Sequence, residues 1–251
     1  MALLLLTTWI DFVLSGIIAI DYKQERKRMT INPKIQQVGW TSDYHLFHKN
    51  IIKYSNRPFK NVLEMNEEIR DRHNKVFEKD AIVFNLGDAL LIPRRDGKSN
   101  DTDYTRQAES LLSTFNGNVY YLPGNHENHM DLIRRHWRIM PQLYEVRIED
   151  EDTETLRQSI VMCHYALRTW NKAHHGAWHV YGHSHGGLMN DNGEMMQDNP
   201  HTLSMDVGVD SNDYYPFLYE DIKAHMATKI FRPTDHHSAK MGGFGGEDLC
   251  K

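Results

Sequence analysis

Five places in the sequence put carboxylate, amide or imidazole side chains directly behind a short apolar run: Asp43-x-His45, Gly87-Asp88, Gly124-Asn125-His126-Glu127, Cys163-His164 and Gly182-His183-Ser184-His185. Together they offer two aspartates, an asparagine and at least four histidines. Oxygen and imidazole donors without thiolate suit Mn²⁺, Fe or Zn²⁺ better than a structural four-cysteine zinc site. Seven ligands are too many for one catalytic ion with an open position. Two ions sharing a bridging carboxylate would use all seven and leave room for water and substrate. Each residue alone has a structural explanation: Asp43 as a turn cap, Asp88 as a solvated strand end, His164 as a hydrogen-bonded core histidine. The set is what points to metal. Histidine numbers 16 in the chain, and nine of these lie between positions 126 and 185, a concentration that fits metal or acid/base chemistry.

The elements that must position these groups follow from hydrophobic patterning. Lys34 to Thr41 reads as a strand ending at the first cluster, and Ala81 to Leu86 as a buried strand ending at Gly87-Asp88. Between them, the turn Asn56-Arg57-Pro58-Phe59 precedes a helix with Asn61 as N-cap and an apolar face of Met65, Ile69, Val76 and Phe77. A polar loop, 93 to 103, leads to a helix that ends near Asn116-Gly117. Val119 to Leu122 is a third strand, followed by a helix to about Met140. Leu143 to Ile148 and Ser159 to Cys163 form a hairpin with an acidic tip, and Trp178 to Tyr181 and Thr202 to Val209 are further strands. Asp221 to Lys229 is a last amphipathic helix. Strands that stop at polar clusters gather those clusters at one sheet edge, where α/β folds place ligands.

The chain of 251 residues, 40% hydrophobic and 25% charged, is a soluble globular composition, which excludes wholly disordered or fibrous classes. A formal charge of −5 provides no broad cationic field for long nucleic acid. Two cysteines, Cys163 and Cys250, are too few for a disulfide framework, so a reducing cytoplasm is expected. Three regions result: an apolar extension over 1–30, one domain over 31–230 and a tail over 231–251 without periodicity, expected to be disordered. Residues 1–20 are long enough for a membrane helix, and the cations after them would keep the rest of the chain in the cytoplasm. Asp11 opposes that reading, because a carboxylate near mid-bilayer is costly. A helix packed on the domain, or a true start at Met29, remain alternatives.

The five clusters, in this order, resemble the signature of the calcineurin-like metallophosphoesterase superfamily: D-x-H, G-D, G-N-H-[DE], H, G-H-x-H. The resemblance spans about Lys34 to Lys229 and is strongest to a small single-domain bacterial and phage branch, through Ser42 to Ile52, Asn56 to Phe59 and His164 to Trp170. It implies an α/β fold, a four-layer α/β/β/α sandwich of two mixed sheets. It further implies that Asp43, His45, Asp88 and His185 hold one divalent ion and Asp88, Asn125, His164 and His183 the other. Mn²⁺ is favoured, with Fe, Zn²⁺ or Ni²⁺ as alternatives. The activity implied is hydrolysis of a phosphomonoester or phosphodiester by hydroxide held between the two ions, with His126 stabilising or protonating the leaving oxygen. A small phosphoester or nucleotide is the expected substrate; a metal-binding scaffold that recruits a partner is the alternative. Arg168, His174 and His175 are further substrate-contact candidates.

Overall fold

The computed structural model describes residues 28–93, 102–153, 156–189, 193 and 201–232. Its strands are β1 (Thr30–Ile31), β2 (Val38–Thr41), β3 (Ile82–Asn85), β4 (Asn118–Tyr121), β5 (Arg138–Ile139), β6 (Leu143–Glu149), β7 (Arg157–Cys163), β8 (Trp178–Tyr181), β9 (Ser204–Asp206) and β10 (Phe217–Leu218). Its α-helices are α1 (Ile51–Tyr54), α2 (Val62–Val76), α3 (Thr102–Leu112), α4 (Met130–His136) and α5 (Tyr219–Ala227). One five-stranded sheet has the order β10-β2-β3-β4-β5, parallel except for β10; the other has the order β1-β6-β7-β8-β9, parallel except between β6 and β7. Both sheets are therefore mixed, and the architecture is α/β.

The two sheets face each other. Trp40 and Phe84 of the first pack with Val146, Ile160, Met162 and Val180 of the second. On the other face of the first sheet, Val83, Val119 and Tyr121 meet Met65 and Ile69 of α2, Leu112 of α3 and Ile133 of α4. Every residue of β2 and β3 is buried, because alternate side chains feed two different cores, and this is why those strands read as continuous apolar runs. Asn61 caps α2 as expected, its side chain accepting from the Leu63 and Glu64 amides at 3.0 Å each.

Four expectations need correction. The helix expected to run to about Met140 stops at His136. Trp137 turns extended and is buried against Phe115 and Tyr121, and Arg138–Ile139 pair with the open edge of β4 as β5. The boundary at residue 30 cuts through β1, which pairs with Arg147 and Ile148 of β6, so Thr30 belongs to the domain. At the other end Phe231 packs on the core between the sheets, so the domain continues past 230. The fourth layer is not helical among the described residues: the outer face around His179 is covered by loop 165–177, with the Trp170 ring tilted against that of His179 at 5.2 Å and the Leu167 amide donating to His179 Nε2 at 3.1 Å. That crossover lacks an apolar period of 3.6, and only one 3₁₀ turn, Ala173–His175, forms in it. The apolar run 1–20, the tip at Glu154, the Arg94–Asp101 part of the polar loop and the tail from 233 lie outside the described residues. Among the described residues no helix is long and apolar enough to cross a membrane.

His73 ties α2 to the first cluster. Its Nε2–H donates to the Asn116 carbonyl at 2.8 Å, so Nδ1 accepts from the hydroxyl of Tyr44, the residue between Asp43 and His45. Burial lowers the His73 pKa from 6.5 to about 4, and burial does the same for His179. An unfolded histidine takes its proton near pH 6.5, so the stability these groups contribute is complete above that pH and is lost as pH falls toward 4. The expected loss is about 1.4 kcal/mol per pH unit per histidine. Denaturant unfolding at pH 7.5 and pH 5 should show the variant His73→Gln losing about 2 kcal/mol less than the wild type between the two conditions. Equal losses would contradict it.

Candidate metal centre

The five clusters meet at one edge because β2, β3 and β4 run parallel, as do β7 and β8, so that their C-terminal ends coincide. Bonds between the sheets then join the two halves of the site: the His183 amide donates to Asp43 Oδ2 at 2.9 Å, and His164 Nδ1–H donates to the Leu86 carbonyl at 2.8 Å.

Two groups of potential ligand atoms result, Asp43 with His45 and His185, and Asp88 with His164 and His183. Asp88 sits between them. Its Oδ1 accepts from the Asn125 and His126 amides, both at 2.9 Å, while Oδ2 faces His45 Nε2 at 3.7 Å and His164 Nε2 at 3.5 Å. One carboxylate oxygen thus holds the Gly124–Glu127 loop and the other is presented to both groups. Asn125 completes the second group, its Oδ1 lying 2.8 Å from both His164 Nε2 and His183 Nδ1.

The local backbone is bent to achieve this. Asp43, His45, Asp88, His183 and His185 all have positive φ, between 49° and 67°. Each such residue costs about 1–3 kcal/mol and persists only where surrounding structure over-determines it. Two glycines make the close approach possible. A Cβ on Gly124 would lie 2.3 Å from Asp88 Oδ1, and one on Gly182 would lie 2.4 Å from Asp43 Oδ2. The glycines of G-N-H-E and G-H-S-H therefore admit the carboxylates.

The donor set fits divalent cations. Asp43 Oδ1 and His45 Nε2 are buried without a hydrogen-bond partner among the described residues and lie 3.8 Å apart. His185 Nε2 is 4.0 Å from the same Asp43 oxygen. His164 Nδ1 is committed to a carbonyl, so Nε2 turns its lone pair toward Asp88 and Asn125. Such a gathering of lone pairs accepts positive charge, and two of the four imidazoles respond to it, whereas burial lowers the pKa of His45 and His183. Burial works against charging His164 and His185, yet contact with Asp88 and Asp43 raises the His164 pKa, and contact with Asp210 and Asp43 raises that of His185. Burial raises the Asp43 carboxyl, whereas for Asp88 burial is outweighed by the bond and charge of His164 and by the His126 amide, and its pKa falls.

Three residues outside the motifs hold the ligands in place. Asp210 accepts from His185 Nδ1–H at 2.6 Å, leaving Nε2 toward Asp43. Arg57 grips Asp210 with two bonds, of 2.9 and 2.7 Å, and donates to the carbonyls of Asp43 and Tyr44. Asp206 accepts from the Gly186 and Gly208 amides; burial, with Asp43 nearby, pushes its pKa up to about 6. Sequence reasoning placed Arg57 in the turn Asn56-Arg57-Pro58-Phe59 without a role at the site and missed both aspartates. The strand-end pattern that flagged Asp43 and Asp88 applies equally to Asp206 at the end of β9 and to Asp210 just beyond it. Glu127, singled out only as part of G-N-H-E, accepts from the Gly124 amide and the Tyr121 hydroxyl, both at 2.6 Å, and so sets the turn that carries Asn125.

An orienting carboxylate on a ligand histidine is worth about 10–100-fold in metal affinity. Asp210→Asn is therefore expected to weaken the ion held by Asp43, His45 and His185 by that factor and to leave the other unchanged. Metal titration by calorimetry, with thermal melts to confirm folding, checks this; equal weakening of both ions would contradict it.

No protein-family model matches the chain. It is similar to an uncharacterised protein of Methanocaldococcus jannaschii, 37% identical over 93 residues, which are 37% of this chain and 48% of that protein. The chain thus spans about half the length of the curated relative it matches. The fold is shared with the crystal structure of a protein of unknown function from Aquifex aeolicus, at a TM-score of 0.52 and 18% identity over 75% of this chain and 98% of that one. Neither relative carries a named activity.

All seven expected ligands come together. His126 is exposed at the mouth, its ring 5.6 Å from that of His45 and 6.2 Å from that of His48. Arg168 lies exposed on the loop that leaves His164. His174 and His175 do not join the site. Their 3₁₀ turn precedes β8, and Gly176 bonds to Gln158 at the start of β7, so they sit at the opposite edge of the sheet from His164 and His183. Their place in sequence ahead of G-H-S-H was misleading, because β8 carries the chain across the whole sheet between the two.

Proposed function

We propose that the protein is a metal-dependent phosphoesterase of the calcineurin-like type, hydrolysing a phosphomonoester or phosphodiester with the aid of two divalent ions. The observation that carries this reading is Asp88: a single carboxylate oxygen faces both halves of a set of four histidines, an aspartate and an asparagine that, with Asp88 itself, come from five strand ends. Two facing mixed sheets with helices over the outer face of the first support the reading as that superfamily's sandwich, with loop 165–177 in place of a helical fourth layer. Asp43, His45, Asp88 and His185 would hold one ion, and Asp88, Asn125, His164 and His183 the other. Bound there, the ions would neutralise phosphoryl charge and acidify a water for in-line attack.

The chain's own groups do the rest. Asp88 Oδ1, pinned by two amides, keeps the loop carrying Asn125 and His126 in register with the carboxylate. Arg57 and Asp210 hold the Asp43 loop and His185 in one orientation, so no reorganisation accompanies the reaction. His126, exposed and on no backbone or carboxylate acceptor through its ring among the described residues, is free to deliver a proton to a leaving oxygen from Nδ1 or Nε2.

Chelation should abolish activity, and Mn²⁺ should restore it. The assay is hydrolysis by the full chain, before and after chelator, of a monoester, a diester and a nucleotide panel. Absence of turnover on every phosphoester, after verified loading with two ions, would overturn the proposal.

A further inference from the structure

Beside the metal centre lies a cleft of about 620 Å³, lined by Lys49, Lys53 and Lys60 together with Asn50, Leu63 and Tyr104. Its volume is in the range of small-ligand pockets. It starts one residue beyond His48, whose Nδ1 is 3.3 Å from that of His45, and the Tyr104 ring packs tilted against Phe47 at 5.5 Å. The rim between centre and cleft is aromatic: His126, His48 and Tyr54 follow one another at 6.2 Å spacings, and Tyr54 is 75% exposed. Lys49 and Lys53 of the cleft are thus the chain neighbours of His48 and Tyr54, the rings that lead to His126.

Its charge is one-sided. The chain as a whole is acidic, with a net charge of −5, yet no aspartate or glutamate lines this cleft among the described residues. The neighbouring carboxylate, Glu64, accepts the Lys60 backbone amide. Lys49, Lys53 and Lys60 form no ion pair among the described residues, whereas Lys34, Lys172 and Lys223 each sit on a carboxylate. Three unneutralised ammonium groups around one concavity attract an anion of several charges.

We infer that this cleft receives the leaving portion of the substrate, and that this portion carries a second phosphoryl group: the substrate is a small bisphosphate or nucleotide-type ester with one phosphate at the metal centre and another on Lys49, Lys53 and Lys60. The inference rests on the phosphoesterase reading for its direction, because His126 marks the side from which the leaving oxygen departs. Tyr54 and the aliphatic lysine stems supply a surface for the sugar or carbon skeleton between the phosphates.

Binding tests it without turnover. Full-length protein kept in chelator is titrated calorimetrically with adenosine 3′,5′-bisphosphate and with adenosine 5′-monophosphate at low salt. The bisphosphate is expected to bind at least about tenfold more tightly, with an advantage that shrinks as salt is raised. The advantage should vanish in the triple variant Lys49→Ala, Lys53→Ala, Lys60→Ala, whose exposed positions leave the cores untouched. Equal affinity for both nucleotides, or an advantage unchanged in the triple variant, overturns the inference. Lysine-dependent binding by a protein that hydrolyses no ester would support the cleft while removing the phosphoesterase reading, so the two failures are distinguishable. Supplied with Mn²⁺, the same proteins should show the preference again, as a ratio of kcat/KM for phosphate release from the two nucleotides that falls about tenfold in the triple variant.

Discussion

Replacing Asp88 by Asn is expected to reduce turnover by roughly two to four orders of magnitude and to leave the chain folded with fewer than two ions bound. Asparagine keeps an Oδ1 that can accept from the Asn125 and His126 amides, so the loop retains its anchor. At the other position it replaces Oδ2, the atom facing His45 and His164 at 3.7 and 3.5 Å, with an NH₂ group. A donor then points where a cation is to sit, and the negative charge shared by both groups is gone. A bound ion supplies several kcal/mol of transition-state charge stabilisation, and losing roughly 3–5 kcal/mol of it, at about 1.4 kcal/mol per decade, gives the stated range. Metal content and activity are measured together on protein of unchanged melting temperature. A variant that keeps two ions and a near-normal rate would place the bridge elsewhere.

Substituting His126 by Ala is expected to leave both ions bound and to lower turnover by about 10²–10⁴, the worth of a positioned general acid. Its backbone amide, not its ring, bonds to Asp88, so the turn survives the substitution. The loss should depend on the leaving group. A nitrophenolate departs without a proton, whereas an alkyl or ribose oxygen needs one, so the alkyl ester should suffer far more. Both esters, of the same phosphate type, are assayed on wild type and variant with metal content measured alongside. Equal losses on the two esters, or loss of an ion, would move His126 to substrate binding or to the metal shell.

Both predictions concern residues visible as short motifs, and that visibility has a physical origin. A ligand site at strand ends needs a polar residue where an apolar run stops, and that transition is local, so Asp43, Asp88, Asn125, His164, His183 and His185 stand out from sequence alone. The glycines beside them are equally legible, because a carboxylate within 2.4 Å of where a Cβ would be permits no other residue. Positioning groups do not share this local signal. Arg57 lies 153 positions from Asp210 and acts through a bidentate bond that only the folded chain creates. His73, on a helix, looks like a surface residue until Tyr44 and Asn116 enclose it.

By itself the sequence determined the alternation of strands and helices, the capping of α2 at Asn61, the strand-end clusters and the kind of cation chemistry their donors suit, since each of these depends on residue type and short spacing. Tertiary structure alone decided which sheet each strand joined, that Arg138–Ile139 would leave the helix for the open edge of β4, and that a loop would cover the outer face at His179. It also decided that Asp88 Oδ2 faces both ligand groups and that His174 and His175 lie at the far edge. These outcomes depend on hydrogen-bond partners and packing surfaces supplied by segments distant in the chain, and no local pattern encodes where those segments will stand.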